Sequence, residues 1–116
     1  MIKRFNDFKT ELREHMRDGD GVVVVSKFVT PEELNNKGRL FAKIILRPGC
    51  GVGYHDHENE SELFYIITGT AVYNDTGTIT KGSAGEVTIT PPGQGHEIKN
   101  ETDDDVELIA LIVNAD

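Results

Sequence analysis

Tryptophan is absent from the 116 residues and cysteine occurs once, at Cys50. A lone thiol cannot close an internal disulfide, which fits a reducing compartment and removes the disulfide-stapled small domains from consideration. Cys50 reads as a small, partly buried hydrophobe, because a reactive thiolate needs a lowered pKa. No run of about eighteen apolar residues is present to span a bilayer. The opening MIKRFNDF also lacks the apolar stretch of a signal peptide. A cytoplasmic protein without a membrane partner is the expectation. Positive charge is scarce beyond Cys50, where Lys81 and Lys99 are the only basic residues against thirteen acidic ones. The net charge of −8 repels phosphate backbones, so no nucleic-acid partner is expected, and the acidic half favours cations instead.

What is present points to a single all-β domain. Twelve glycines punctuate the chain, as turn-rich β architectures require. Between Asn6 and Arg17 the apolar residues Phe8, Leu12 and Met16 recur every fourth position, which predicts a short amphipathic helix ending before Gly19. Residues 1–20 are therefore expected as an N-terminal helical segment and residues 21–116 as the β domain. His15 beside the apolar stripe reads as a surface histidine. After the DGDG breaker the pattern changes to β-branched runs: VVVVSKFV, then RLFAKIILRPG, ELFYIITG, TAVYND, GTITKG, EVTIT, GHEIKN and DVELIALIV. The segment TPEEL, with Pro31 at a first helical position, predicts one helical turn. Strands at this spacing argue for an antiparallel sandwich or barrel rather than βαβ units. The acidic run Asp103–Asp105 reads as a solvated hairpin loop.

Histidine is also sparse, and its placement is informative: three of the four histidines fall in two strand segments. On a strand, residues i and i+2 face the same way, so His55 and His57 project from one face while Asp56 points from the other. The turn ENES then returns the chain so that Glu62 begins the next strand beside them. His96, in PPGQGHEIKN on a different strand, is the candidate to complete a four-ligand shell.

These residues resemble the cupin family. Its first motif, G-x5-H-x-H-x4-E-x6-G, is matched by Gly49, His55, His57, Glu62 and Gly69. Its second, G-x5-P-x-G-x2-H-x3-N, is matched by Gly85, Pro91, Gly93, His96 and Asn100. The resemblance covers roughly residues 38–113 and implies a double-stranded β-helix, or jelly-roll barrel, with one divalent metal held by His55, His57, Glu62 and His96. Asn100 reads as a structural hydrogen-bonding residue. Three imidazoles and a carboxylate suit Mn, Fe, Zn, Ni, Co or Cu rather than Ca or Mg, and a six-coordinate ion would keep two positions open.

Alternation turns Phe64, Ile66 and Ile98 inward, and on the preceding strand the apolar set Ala42, Ile44 and Leu46. Lys43 and Arg47 then point outward, which leaves no positive group placed to hold an anion. Tyr54, Glu58 and Glu60 near the barrel mouth are the candidate general acids or bases. The resemblance implies a metal-dependent enzyme acting on a small organic molecule, of dioxygenase, decarboxylase, isomerase or lyase type, with a non-catalytic ligand-binding or sensor module as the alternative. The run Val22–Val25, expected at an exposed sheet edge, points to strand pairing between subunits and hence to a homodimer.

Overall fold

The computed structural model describes residues 1–116. Ten strands follow one another: β1 (Lys9–Glu14), β2 (Val22–Lys27), β3 (Gly38–Leu46), β4 (Gly51–Asp56), β5 (Glu60–Thr68), β6 (Thr70–Asp75), β7 (Thr78–Ser83), β8 (Val87–Thr90), β9 (Gly95–Lys99) and β10 (Val106–Asn114). They form a six-stranded sheet in the order β1-β2-β3-β10-β5-β8 and a four-stranded sheet in the order β4-β9-β6-β7. Every pairing is antiparallel.

Alternation decides which side chains fill the space between the sheets. Along β10 Val106, Leu108, Ala110 and Ile112 are buried, and along β3 Ala42, Ile44 and Leu46 are buried in register with them. Phe64, Ile66 and Ile98 join the same core, as their parity requires. Burying side chains of this size stabilises the fold by about 1.5–3 kcal/mol each. Turn chemistry agrees with the register. Thr76 and Gly77 take φ of +50° and +100° between β6 and β7, which is the two-residue turn whose twist matches a hairpin. Asn100 is wholly buried and donates to the carbonyls of Leu46 and Asp104 at 2.8 and 2.7 Å while accepting from Thr102, so its role is structural, as the motif suggests.

Three expectations are corrected. Residues 6–17 form no amphipathic helix: Lys9–Glu14 is strand β1, flanked by single 3-10 turns at Phe5–Asp7 and Met16–Asp18. The period-four spacing of Phe8, Leu12 and Met16 also fits a strand, because four is an even number, and pairing of Lys9–Glu14 with β2 decides between the two, leaving Leu12 exposed. The run Val22–Val25 is not an exposed edge, since β1 and β3 pair with it on both sides and Val23, Val24 and Val25 are buried. The acidic loop is exposed, but it carries the chain from β9 in one sheet to β10 in the other and closes no hairpin. The single turn expected at TPEEL is present as a 3-10 turn at Glu32–Leu34. No helix is long and apolar enough to cross a membrane.

Candidate metal centre

His55 lies on β4, Glu62 on β5 and His96 on β9, with His57 just past the end of β4. His55 and His96 are direct cross-strand partners in the β4–β9 pairing, so two sheet neighbours and one hairpin return bring the four side chains together. His57, Glu62 and His96 are buried, and His55 is half-buried. Glu62 Oε1 lies 2.9 Å from His57 Nε2 and 3.0 Å from His96 Nε2. His57 Nε2 is 3.1 Å from both His55 Nε2 and His96 Nε2.

The outer nitrogens of the rings settle what the inner ones offer. His55 Nδ1 donates to the Gly53 carbonyl at 2.8 Å, an atom that can only accept. His57 Nδ1 donates to Glu60 Oε2 at 2.7 Å. Both imidazoles therefore present a bare Nε2 lone pair toward the centre in their neutral forms. His96 Nδ1 meets the hydroxyls of Tyr73 and Thr90, each at 2.9 Å, and these lie 2.6 Å from one another. Hydrogen bonds of this kind orient metal-binding histidines.

Acceptors facing acceptors at 2.9–3.1 Å repel unless a proton or a cation lies among them. A metal bonded at about 2.1 Å to two donors at a right angle separates them by about 3.0 Å, so the spacing as well as the donor chemistry fits a divalent transition metal. The titration directions express the same crowding. Burial pushes the Glu62 carboxyl up, but the His55, His57 and His96 rings around it, which stabilise the carboxylate when they take up a proton, outweigh burial and hold the group below the usual carboxylate range. Glu62, helped by Glu60, raises His57 against the effect of burial, whereas burial lowers His96 despite Glu62.

A cavity of about 270 Å³ opens onto the site, and its lining includes His55, His57, Glu62, Phe64 and Ile44. The same cavity is bordered by Arg13, Arg17, Lys27 and Arg39. Alternation had placed Lys43 and Arg47 outside, and Lys43 does pair outside the cavity with Glu107. The four cations at the mouth come from β1, the turn Met16–Asp18, the end of β2 and the start of β3, outside both motifs. Local sequence carries no sign of them. Three are paired: Arg13 and Lys27 share Glu11, and Arg39 grips Glu60 with two hydrogen bonds of 2.9 Å.

The three acid–base candidates separate. Glu60 reaches the site but has both oxygens engaged, by His57 and Arg39. Glu58 is exposed in the turn after His57. Tyr54 is 45% exposed, does not line the cavity, and lays its ring over Gly95 on the outer side of β4.

Comparison with known proteins agrees with this architecture. The cupin domain family model matches residues 42–112. The oxalate-binding protein of Thermotoga maritima is 38% identical over 113 residues, covering 97% of this chain and 93% of that protein. A crystal structure from Thermotoga maritima, described as a predicted oxalate decarboxylase, superposes with a TM-score of 0.94 at 38% identity and covers 98% of this chain and 99% of that one. The cupin domain of Schizosaccharomyces pombe Cnp3 shares the fold at 15% identity, with a TM-score of 0.72 over 90% of this chain and 68% of that one. The chain belongs to the cupin family.

Proposed function

We propose that the protein holds one divalent transition metal per chain through His55, His57, Glu62 and His96 and uses that centre to bind a small oxygen anion of the oxalate class. The observation that carries this reading is the charge of the cavity mouth. In a chain of net charge −8, four cations gather at the cavity that reaches His55, His57 and Glu62. The name of the Thermotoga oxalate-binding protein, similar over nearly the whole chain, supports the same ligand class. A metal at this position supplies a Lewis acid that fixes and polarises a carboxylate oxygen. The chain's own contributions are to orient the imidazoles through Gly53, Glu60, Tyr73 and Thr90, to wall the cavity with Phe64 and Ile44, and to attract the anion.

Turnover of the bound anion is the second reading, favoured by the likeness to the structure described as a predicted oxalate decarboxylase. It requires a proton donor beside the ligand. Of Tyr54, Glu58 and Glu60, only Glu60 touches the site, and its carboxylate is committed to His57 and Arg39. Binding is therefore the reading we adopt, with Glu60 as a positioning residue.

The test is elemental analysis of protein purified without added metal, followed by calorimetric titration with oxalate while dioxygen uptake and carbon dioxide release are monitored. Stoichiometric metal and saturable binding without consumption support the adopted reading. Steady consumption of oxalate moves the protein to the catalytic one. Absence of metal under supplementation with each candidate ion overturns both. A homodimer in the cytoplasm completes the proposal. The exposed apolar side chains Tyr65, Ile67, Val87 and Ile89 on the outer face of β5 and β8 support the dimer, which light scattering checks. The free thiol of Cys50 accords with a reducing compartment.

A further inference from the structure

Arg17 differs from the other cations at the cavity mouth in two ways. It has no carboxylate within ion-pair distance and no side-chain hydrogen bond, whereas Arg13 and Lys27 share Glu11 and Arg39 is held by Glu60. It also stands on strained backbone. His15, Arg17 and Asp18 have φ of +48°, +54° and +63°, a left-handed region that side chains other than Asn and Gly seldom occupy. Three such residues within four positions persist only where the surroundings impose them.

The surroundings here are the strand that carries His55. The 3-10 turn Met16–Asp18 is pressed against β4 at two glycines. A Cβ on Gly53 would collide with the Arg17 carbonyl oxygen, and one on Gly19 would collide with the Gly51 carbonyl oxygen. Gly53 is also the residue whose carbonyl accepts the Nδ1 proton of His55. One residue thus seats both the ring of a metal ligand and the backbone of Arg17. The turn is closed by hydrogen bonds from Asp18 N to the His15 carbonyl and from Gly19 N to the Met16 carbonyl, at 2.9 and 3.0 Å, while Met16 packs on the core. The strained backbone packs the turn onto β4, while the Arg17 side chain is exposed and has no hydrogen bond or ion pair. The contact with Gly53 fixes the backbone of Arg17 beside β4, and Arg17 lines the cavity that also reaches His55, His57 and Glu62.

We propose that Arg17 is the anion-binding residue of this cavity, and that its guanidinium selects a dicarboxylate such as oxalate over a monocarboxylate by receiving the charge that the metal centre does not neutralise. The inference rests on the anion-binding reading above. The guanidinium fork matches a carboxylate in two parallel hydrogen bonds, and a cation without a competing internal partner gives up no existing ion pair when the ligand arrives. Arg13, which would have to share itself with Glu11, is the natural control.

The experiment compares wild type, Arg17→Gly, Arg17→Lys and Arg13→Gln, each loaded with manganese(II), in calorimetric titrations with oxalate and with acetate, alongside thermal melts and manganese affinity. Glycine is at ease at a φ of +54°, so Arg17→Gly is expected to keep its melting temperature or raise it and to bind manganese as wild type does. Its oxalate affinity is expected to fall by about tenfold or more, the usual scale for a charge-assisted hydrogen bond. Acetate affinity should change little, Arg17→Lys should recover part of the loss, and Arg13→Gln should lose less than Arg17→Gly. Oxalate binding by Arg17→Gly equal to wild type overturns the inference while leaving the anion reading intact. Failure of wild type to bind oxalate removes the anion reading and this inference with it.

Discussion

Glu60 stands between His57 and Arg39. It accepts the Nδ1 proton of His57 at 2.7 Å and two hydrogen bonds from the Arg39 guanidinium at 2.9 Å. A surface cation is thereby linked through one carboxylate to a buried histidine of the candidate metal centre, and the link sets which nitrogen of His57 faces inward. Arginine in turn holds the Glu60 carboxyl below its ordinary value, so it remains an acceptor in mildly acidic solution.

Glu60→Gln keeps the shape of this bridge and removes its charge. Metal affinity is expected to fall by about 10- to 100-fold, the usual effect of losing a carboxylate behind a metal-bound histidine. Competition with a chromophoric chelator measures it. An unchanged affinity would show that the Glu60–His57 bond does not orient the ligand.

On the opposite side of the site, Tyr73→Phe removes one of the two hydroxyls that meet His96 Nδ1. Thr90 retains its bond to the ring, so the expected loss of stability is modest, about 1 kcal/mol. Denaturant unfolding of the metal-free protein would show it as a lowered midpoint with an unchanged slope. Thr90→Val in the same background should cost more, because His96 Nδ1 is then buried without a partner.

Metal and proton compete for His57 Nε2. Because Glu62 and then Glu60 raise His57, metal uptake near neutral pH is expected to release a proton, and affinity should climb as pH rises past the ordinary imidazole value of about 6.5. Calorimetry in buffers of differing ionisation enthalpy counts the proton. For the metal-free fold the sign is reversed. A folded-state value above the unfolded one means that the His57 contribution is complete below about pH 6.5 and is lost as pH rises through the folded-state value. The stability difference between wild type and His57→Gln, both metal-free, should therefore shrink with increasing pH; growth of that difference would contradict the arrangement.

Gly53→Ala tests the seat of the N-terminal turn. The new methyl collides with the Arg17 carbonyl oxygen, so either the turn or β4 must shift. A drop in melting temperature of several degrees is expected, at about 4–8 °C per kcal/mol for a domain near this size. Metal affinity should fall with it, since the Gly53 carbonyl also orients His55. Leu108→Ala, a wholly buried truncation far from the site in role, should cost about 2–5 kcal/mol without altering the metal-binding pH profile.

How much of this was legible in the chain depends on distance along it. The strands from Gly38 onward and the inward parity of Phe64, Ile66 and Ile98 follow from alternation and turn residues, which act over a few positions, and the structural part of Asn100 from its place in the second motif. The N-terminal strand was not legible, because Phe8, Leu12 and Met16 satisfy a helical and a strand period alike and only pairing with Val22–Lys27 decides between them. The support of the ligand rings by Tyr73, Thr90 and Gly53 was equally hidden, since none of these residue types announces such a role.

By itself the sequence determined the candidate ligand cluster, for a strand aims residues two apart to one face and glycine-bounded turns return Glu62 and His96 to the same space. The tertiary structure alone decided the charge of the cavity. Arg13 and Arg17 lie about forty residues before His55, and what brings them to the metal ligands is the antiparallel return of β1 along β2 and the close backbone contact of Gly19 with β4. Those contacts join segments whose separation leaves no local pattern, so the cations that border the cavity become visible only once the sheets are formed.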